Sequence, residues 1–235
     1  MNDGPSVGSQ GRNSPGSEGP AIATRSPRRR VDEQRIVARA LRLAREDGLQ
    51  AVTMRRLAEE LGTAPMTLYR HIPDRQALLV AMLDEVARGI AFPPPADDPR
   101  AEITGVLTAI HDALRRDAWA IGPLVTEKLA GPSIVPALER TFAALRRAGL
   151  APRDSRAAFA LLWHYTVGEL LDTHMDDSDD SFARRMVRDT DPDAHPALAA
   201  IVASVPSGPP DDWFPENLQR VLDGLLPPPA GRTAV

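Results

Sequence analysis

Four side chains that could contact a polar partner recur within one short stretch of the sequence: Met66, Thr67, Tyr69 and Arg70. Leu68 and Ile72 lie one helical turn apart in the same stretch, so a helix here would pack through these two aliphatic side chains. At about 100° per residue, the four side chains point away from that packing side or flank it. Two hydroxyls, a guanidinium and a thioether displayed together can form hydrogen bonds and apolar contacts with a partner's surface.

The residues before this stretch predict two short helices joined by a tight turn. Thr53 is a suitable N-cap for a helix through Leu57. Gly62 follows, where a helix ends most easily in the left-handed conformation that glycine enters at little cost. Thr63 can cap the second helix, and Pro65 is tolerated in its first turn. This is the helix-turn-helix pattern, whose second helix enters the major groove of DNA, although similar helix pairs also occur in domains that bind no nucleic acid.

The charge distribution favours an anionic partner at one end of the chain. The net charge of the 235 residues is −4, yet the range 25–75 contains 12 arginines against seven acidic residues. A basic front on an acidic body fits a partner such as DNA. The chain has no cysteine, which excludes disulfides and is compatible with a reducing cytosol.

The sequence predicts a cytoplasmic protein that is not inserted in a membrane. The longest apolar run, Ala157–Trp163, is far shorter than the roughly 20 residues of a membrane span. Residues 1–24 lack the charged-then-apolar order of a secretory signal.

The whole chain is predicted to be all-α, because no stretch shows sustained strand alternation. Residues 1–26 read as a disordered arm that ends in basic residues, 27–73 as a three-helix helix-turn-helix unit, 74–95 as a connecting helix, and 96–235 as a helical ligand-binding and dimerisation domain. Proline runs at 93–95 mark the boundary before the last part. The connecting helix is expected to extend as far as Ile90, and the acidic range 176–193 is expected to be irregular.

The front of the chain resembles the tetracycline-repressor (TetR) family of transcription regulators. The residues that carry this resemblance are Thr53, Leu57, Ala58, Leu61-Gly62, Thr67-Leu68-Tyr69-Arg70-His71-Ile72 and Asp74-Arg75-Gln76-Ala77-Leu78-Leu79. The C-terminal part resembles the tetracycline-repressor class through Arg116-Asp117, the run from Trp163 to Gly168, and a late helix from Phe214 to Leu225.

The resemblance implies a homodimeric repressor that binds a palindromic DNA operator. It implies DNA contacts from Arg55, Met66, Thr67, Tyr69, Arg70 and His71, with Arg75 at a phosphate. Pro65 stands where the family often has a polar base reader. His71 lies nearer the packing side of its helix, so a structural role is equally compatible with its position.

The resemblance also implies that the C-terminal domain binds a small molecule that releases the repressor from DNA. Candidate ligand contacts are the aromatic, polar or flexible side chains on otherwise apolar helices: Met82, His111, Trp119, Phe142, Phe159, Trp163 and His164. The tetracycline class has a metal-binding histidine where this chain has Gly122. The expected ligand is therefore a large apolar molecule rather than a magnesium–tetracycline complex, and no metal site or cofactor is expected.

Two further interpretations concern oligomer contacts and other functions. Gly168 in the longest helix is read as a close backbone contact in the dimer, or as a tolerated glycine. Leu222 is expected in the dimer interface. The alternative function is a helical enzyme or ligand-sequestering protein without a DNA role, with His111 or His164 as an acid or base. His174 beside the acidic range 176–180 is a weak candidate for cation binding.

Overall fold

A computed structural model describes residues 32–175, 182–204 and 212–227 of the chain. These residues form helices and connecting turns without a β-strand, as the sequence predicts. The helices are α1 Glu33–Asp47, α2 Met54–Glu60, α3 Pro65–Tyr69, α4 Arg75–Arg88, α5 Pro99–Arg116, α6 Ile121–Thr126, α7 Val135–Arg147, α8 Pro152–Met175, α9 Phe182–Arg188, α10 Pro196–Ser204 and α11 Phe214–Leu225.

Side-chain caps and one glycine determine where the first helices begin and end. The Thr53 hydroxyl accepts a hydrogen bond from the Arg56 N–H (3.2 Å), which confirms its predicted role as N-cap of α2. Gly62 has a φ of +64°, which confirms the left-handed turn after α2. The predicted cap by Thr63 is wrong, because α3 begins after Ala64 without a side-chain cap. Thr63 instead donates its backbone N–H to the Ala58 carbonyl, 2.9 Å away, and so belongs to the end of α2.

Two predicted boundaries differ from the structure. Helix α4 ends at Arg88, before Ile90, because Gly89 terminates it and the chain then turns toward the proline run. Helix α9 lies inside the range 176–193 that was expected to be irregular. Its composition is locally polar, so the apolar periodicity that marks the other helices is weak there. The candidate cation site at His174 and 176–180, and the arm 1–26, lie outside the residues whose side chains the structure describes.

The described helices share two apolar cores. The first contains buried residues of α1, α2, α3 and α4 together with residues of α5 and α8, so the helix-turn-helix unit packs directly on the rest of the chain. The second core is built from α5, α7, α8 and α11. Leu222 of α11 belongs to it and is 0% exposed. The prediction that Leu222 forms a dimer interface is therefore wrong: its apolar side faces its own chain.

A buried carboxylate between α5 and α6 connects the two parts of the molecule. Asp117 is 5% exposed and accepts hydrogen bonds from Nε and Nη2 of Arg45 on α1, at 2.7 and 3.0 Å. The Trp119 indole N–H donates to the same carboxylate at 2.9 Å. These hydrogen bonds with Asp117 raise the pKa of the Arg45 guanidinium. In the described parts of the chain, every helix falls short of the length and apolar character that a membrane span requires.

Candidate nucleic-acid interface and ligand cavity

Helix α3 packs through two aliphatic residues, leaves Thr67 half-buried and displays Met66 and Tyr69 to solvent. Leu68 and Ile72 are buried, as the spacing predicts. Met66 is 73% exposed and Tyr69 is 43% exposed, which is unusual for large apolar and aromatic side chains. A short helix that leaves such side chains in solvent presents a ready contact surface.

The polar groups beside α3 are placed for contacts with a partner. Arg70 is exposed, and its Nη2 lies 3.5 Å from the Thr67 hydroxyl, so most guanidinium donors face solvent. His71 is exposed too, so its side chain is not part of the core beneath the helix. Arg55 and Arg75 are exposed on the neighbouring helices α2 and α4. The structure thus brings the display residues of α3 to one surface, with Arg75 at the start of the next helix.

Several arginines of this unit have carboxylate partners, and they include Arg55, one of the predicted DNA contacts, whose Nε lies 3.0 Å from a Glu59 oxygen on the same helix. Arg39 forms an ion pair with Glu60, and Arg56 pairs with both Asp47 and Glu60. The hydrogen bond from Arg39 lowers the pKa of Glu60, and the hydrogen bond to Asp47 raises the pKa of Arg56. The pairs Arg39–Glu60 and Arg56–Asp47 connect α1 to α2 at the surface. Arg70, by contrast, has no carboxylate partner among the described residues.

A cavity of about 600 Å³ lies among α4, α5, α7, α8 and the segment around α6. It is lined mainly by aliphatic and aromatic side chains: Leu83, Val86, Ala87, Ile90, Leu107, Ile110, Leu114, Leu124, Val125, Lys128, Leu129, Ala130, Gly131, Ile134, Leu138, Phe159, Trp163, His164, Val167, Gly168 and Leu171. Its size and lining suit a small, largely apolar molecule.

One wall of the cavity is helix α4, which follows directly after the display helix α3. Leu83, Val86 and Ala87 of α4 line the cavity. On the same helix, Asp84 accepts a hydrogen bond from the backbone N–H of Ser133 at 2.6 Å. A Cβ added to Gly131 would lie 2.3 Å from the Cα of Asp84, so only glycine fits there. The loop at 127–134 therefore packs closely against the backbone of α4.

Three of the seven predicted ligand contacts line this cavity: Phe159, Trp163 and His164. Phe142 does not, although its ring packs on Phe159 with centroids 4.9 Å apart. Met82 is fully buried in the first core and is not among the lining residues. The prediction is thus corrected for Phe142 and Met82, because a helix exposes only some of its apolar positions to a cavity.

His111 and Trp119 also lie outside the cavity lining, which corrects the prediction for both. The His111 ring is buried, stacks on Phe214 with a centroid distance of 3.8 Å, and has Nε2 2.5 Å from a Glu169 oxygen. Trp119 is held by its hydrogen bond to Asp117. Both side chains are held by these contacts, and neither is among the residues that line the cavity.

The sequence interpretation missed two kinds of lining residue. The aliphatic residues of and just after α4 had a detectable signal, since Leu83, Val86 and Ile90 recur at helical spacing. Lys128 is the only lysine in the chain, yet nothing in its local sequence places it at a cavity. Gly168 also lines the cavity, and a Cβ added to it would meet no atom within 4 Å. Within the chain it therefore marks open space rather than a close backbone contact.

Two family models match this chain. The model described as "Bacterial regulatory proteins, tetR family" matches residues 36–82, and the model "Tetracyclin repressor-like, C-terminal domain" matches residues 92–227. The first match contains α2, α3 and most of α1, and the second contains the cavity helices α5 to α8. The first match therefore includes the surface of α3, and the second includes the cavity lining except for Leu83, Val86, Ala87 and Ile90, which lie between the two matches.

Relatives and solved structures agree with these matches. The chain is 30% identical to the HTH-type transcriptional repressor DrrR1 of Streptomyces coeruleorubidus, over 86% of this chain and 80% of the relative. It is 28% identical to the class C tetracycline repressor of Escherichia coli, over 83% and 91% of the two chains. The crystal structure of Streptomyces coelicolor ActR in complex with actinorhodin is similar, with a TM-score of 0.72 and 25% identity over 84% and 97% of the chains.

Proposed function

The chain belongs to the tetR family of bacterial regulatory proteins and is a DNA-binding transcriptional regulator; from that premise, we propose the parts of its surface and interior that serve this function. It acts as a cytoplasmic homodimeric repressor on a near-palindromic operator. A small, largely apolar molecule in the cavity releases it from DNA. The arm at 1–26, the unit at 27–73, the connecting helix at 74–95 and the remainder at 96–235 are the proposed divisions of the chain.

The observation that carries this proposal is the double role of α4. Its residues Leu83, Val86 and Ala87 line the cavity, and Leu78 and Leu79 of the same helix belong to the core under α2 and α3. A ligand that displaces α4 must therefore also move the display helix. Because interfaces in packed cores change in discrete steps, a shift at one end can alter the spacing of the two DNA-reading heads of a dimer.

The chemistry of the α3 surface supports contacts with a duplex. The hydroxyls of Thr67 and Tyr69 can bond phosphate oxygens and fix the register. Arg70 can pair with O6 and N7 of guanine, and Met66 can contact a thymine methyl. The proposed remaining contacts are Arg55, His71 and, at a phosphate, Arg75. The two reading helices of the dimer should lie about 34–36 Å apart, which is one turn of DNA.

The ligand part of the proposal is supported by the size of the cavity and by a relative. ActR, whose structure resembles this chain, was solved in complex with actinorhodin. Phe159, Trp163 and His164 are the proposed ligand contacts from α8, together with the α4 residues of the wall. No bound metal ion is needed for a cavity of this apolar character.

Selection of binding sites from random duplexes tests the DNA part directly. Purified protein should enrich a palindromic sequence whose half-sites are about one helical turn apart. Arg70→Ala should lose this enrichment, whereas Arg153→Ala on α8 should retain it, because Arg153 is exposed outside the display surface. Enrichment of no sequence by the wild-type protein at physiological salt would reject the proposal. It would then favour the alternative of a ligand-binding protein without a DNA role.

A further inference from the structure

We propose that the ligand of the cavity is an apolar molecule with one anionic group, such as a carboxylate or phenolate, and that the Lys128 ammonium binds this group. The inference rests on the proposed role of the cavity as the effector site. It specifies the chemical class of the ligand that this site would bind. The charged group distinguishes the expected ligand from a purely apolar one.

Among the described residues, the cavity lining carries a positive charge and no negative one. Lys128 is the only lysine of the chain and lines the cavity, and the described residues that line it include no aspartate or glutamate. Lys128 has no carboxylate partner among the residues that the structure describes, unlike Arg45, Arg56 and Arg88, which form ion pairs. An unpaired ammonium at the edge of an apolar space attracts an anion and repels a cation.

The backbone holds Lys128 at this position in an uncommon conformation. Its φ is +53°, and among the described residues other than glycine it is the only one with a positive φ. The next residue, Leu129, is buried and donates its backbone N–H to the Pro123 carbonyl at 3.1 Å. Residues in the left-handed region persist where the surrounding structure fixes them, and such positions cluster at ligand sites.

The loop that carries Lys128 is fixed from its other side by α4. Gly131 lies against the backbone of Asp84, and the Ser133 N–H donates to the Asp84 carboxylate at 2.6 Å. Lys128 itself is exposed, and it lines the cavity from a loop whose backbone these contacts hold against α4. A prearranged donor loses less conformational entropy when it binds a ligand.

His164, an exposed residue of α8, supplies a second polar group to the cavity lining. It lines the cavity from α8, and no described residue forms a hydrogen bond or ion pair with its ring. It can donate to or accept from a polar substituent elsewhere on the ligand. The rest of the lining requires an apolar skeleton, because an unpaired polar group buried there would be unfavourable.

Two fluorescent probes with the same aromatic skeleton test the inference. The probe 1-anilinonaphthalene-8-sulfonate carries one anionic group, and N-phenyl-1-naphthylamine is the same molecule without it. Binding of both to the full-length protein would be measured by fluorescence titration, with the wild type, Lys128→Met, Lys128→Arg and the exposed control Arg153→Met. Leu124→Trp, at a half-buried lining position of α6, should narrow the cavity and tests whether the probes occupy it.

Lys128→Met should weaken binding of the anionic probe by about tenfold, the factor that one charge-assisted hydrogen bond provides. It should leave the neutral probe within about twofold, and Lys128→Arg should restore most of the affinity. Equal loss of both probes, or unchanged binding of the anionic probe, overturns the inference while the cavity remains an apolar ligand site. Binding of neither probe, or binding that Leu124→Trp does not reduce, rejects the effector cavity itself and this inference with it.

Discussion

The guanidinium of Arg45 donates two hydrogen bonds to the buried carboxylate of Asp117, although the two residues are 72 positions apart in the chain. Arg45 belongs to α1 of the helix-turn-helix unit, and Asp117 follows α5 at the edge of the cavity region. The pair therefore fixes the orientation of the DNA-binding unit on the C-terminal helices. A second contact of this kind joins the 127–134 loop to α4, through Gly131 and Ser133 against Asp84.

Arg45→Met should destabilise the protein by about 1–3 kcal/mol, because it leaves the Asp117 carboxylate buried without its cation. The estimate stays at this level because the Arg45 side chain is 51% exposed and solvent screens part of the pair. Urea denaturation at fixed protein concentration measures the change. Arg42→Met, at an exposed position of the same helix, is the control and should stay within about 0.5 kcal/mol. Equal effects of the two substitutions would show that the pair contributes nothing.

Arg75→Ala should weaken binding to all duplexes to a similar degree, because a phosphate contact carries no sequence information. The slope of log affinity against log salt should fall by about one contact. Arg70→Ala should instead cost about 1–3 kcal/mol on the selected operator and relax one base position. Fluorescence anisotropy on operator and unrelated duplexes, from low to physiological salt, separates the two outcomes. A sequence-dependent effect of Arg75→Ala would contradict its assignment to a phosphate.

Gly131→Ala should separate the 127–134 loop from α4, because the new Cβ would lie within 2.6 Å of three atoms of Asp84, two of them backbone. Overpacking of this kind typically costs about 1–3 kcal/mol. Thermal unfolding measures the loss. The control is Gly122→Ala, whose Cβ would meet no atom within 4 Å. A Gly131→Ala protein as stable as the Gly122→Ala protein would show that the loop can relax freely.

Glu102→Gln should reduce stability at neutral pH by about 1–3 kcal/mol and have less effect in acid. Glu102 is buried and accepts hydrogen bonds from Arg140 and from the Ala96 N–H. The hydrogen bond with Arg140, mainly, lowers the pKa of Glu102 from its usual 4.5. The ionised group therefore stabilises the fold above pH 4.5, and this contribution is lost as pH falls through the lowered pKa.

Denaturation of the wild type and Glu102→Gln at pH 7 and at successively lower pH tests this dependence. The difference between the two proteins should shrink below about pH 4.5. Glu139→Gln, at an exposed position of α7, should show no such trend. A difference that stays constant down to pH 3 would exclude the ionised Glu102 as its source.

Leu161→Glu should give folded monomers with weak operator binding, because Leu161 is an apolar residue of α8 that is 54% exposed in the single chain. A dimer interface would cover such a side chain. Leu222→Glu should instead unfold the chain, since it places a charge in the second core. Analytical ultracentrifugation and circular dichroism distinguish the two effects. An intact Leu161→Glu dimer would remove this face of α8 from the proposed interface.

Much of the DNA-binding unit was predictable from sequence because its signals are local. Leu68 and Ile72 are spaced by one turn, Thr53 caps α2 and Gly62 ends it, and each of these relations spans fewer than ten residues. The display of Met66, Tyr69 and Arg70 then follows from helical geometry alone. In this unit, the wrong prediction concerned which of two neighbouring residues precedes α3: the sequence favours Thr63, whereas the N-cap is Ala64.

The cavity was decided by tertiary structure. Phe142 and Phe159 are both aromatic residues on amphipathic helices, yet only Phe159 lines the cavity, because lining depends on how α7 and α8 pack. Leu222 has the periodicity of an interface residue as well as that of a core residue, and only the docking of α11 distinguishes them. Lys128 lies on a loop that packs against Asp84 of α4. This contact joins segments that are distant in sequence, so local patterns do not predict it. Periodicity determines which side of a helix is apolar, whereas the packing of helices determines what that side meets.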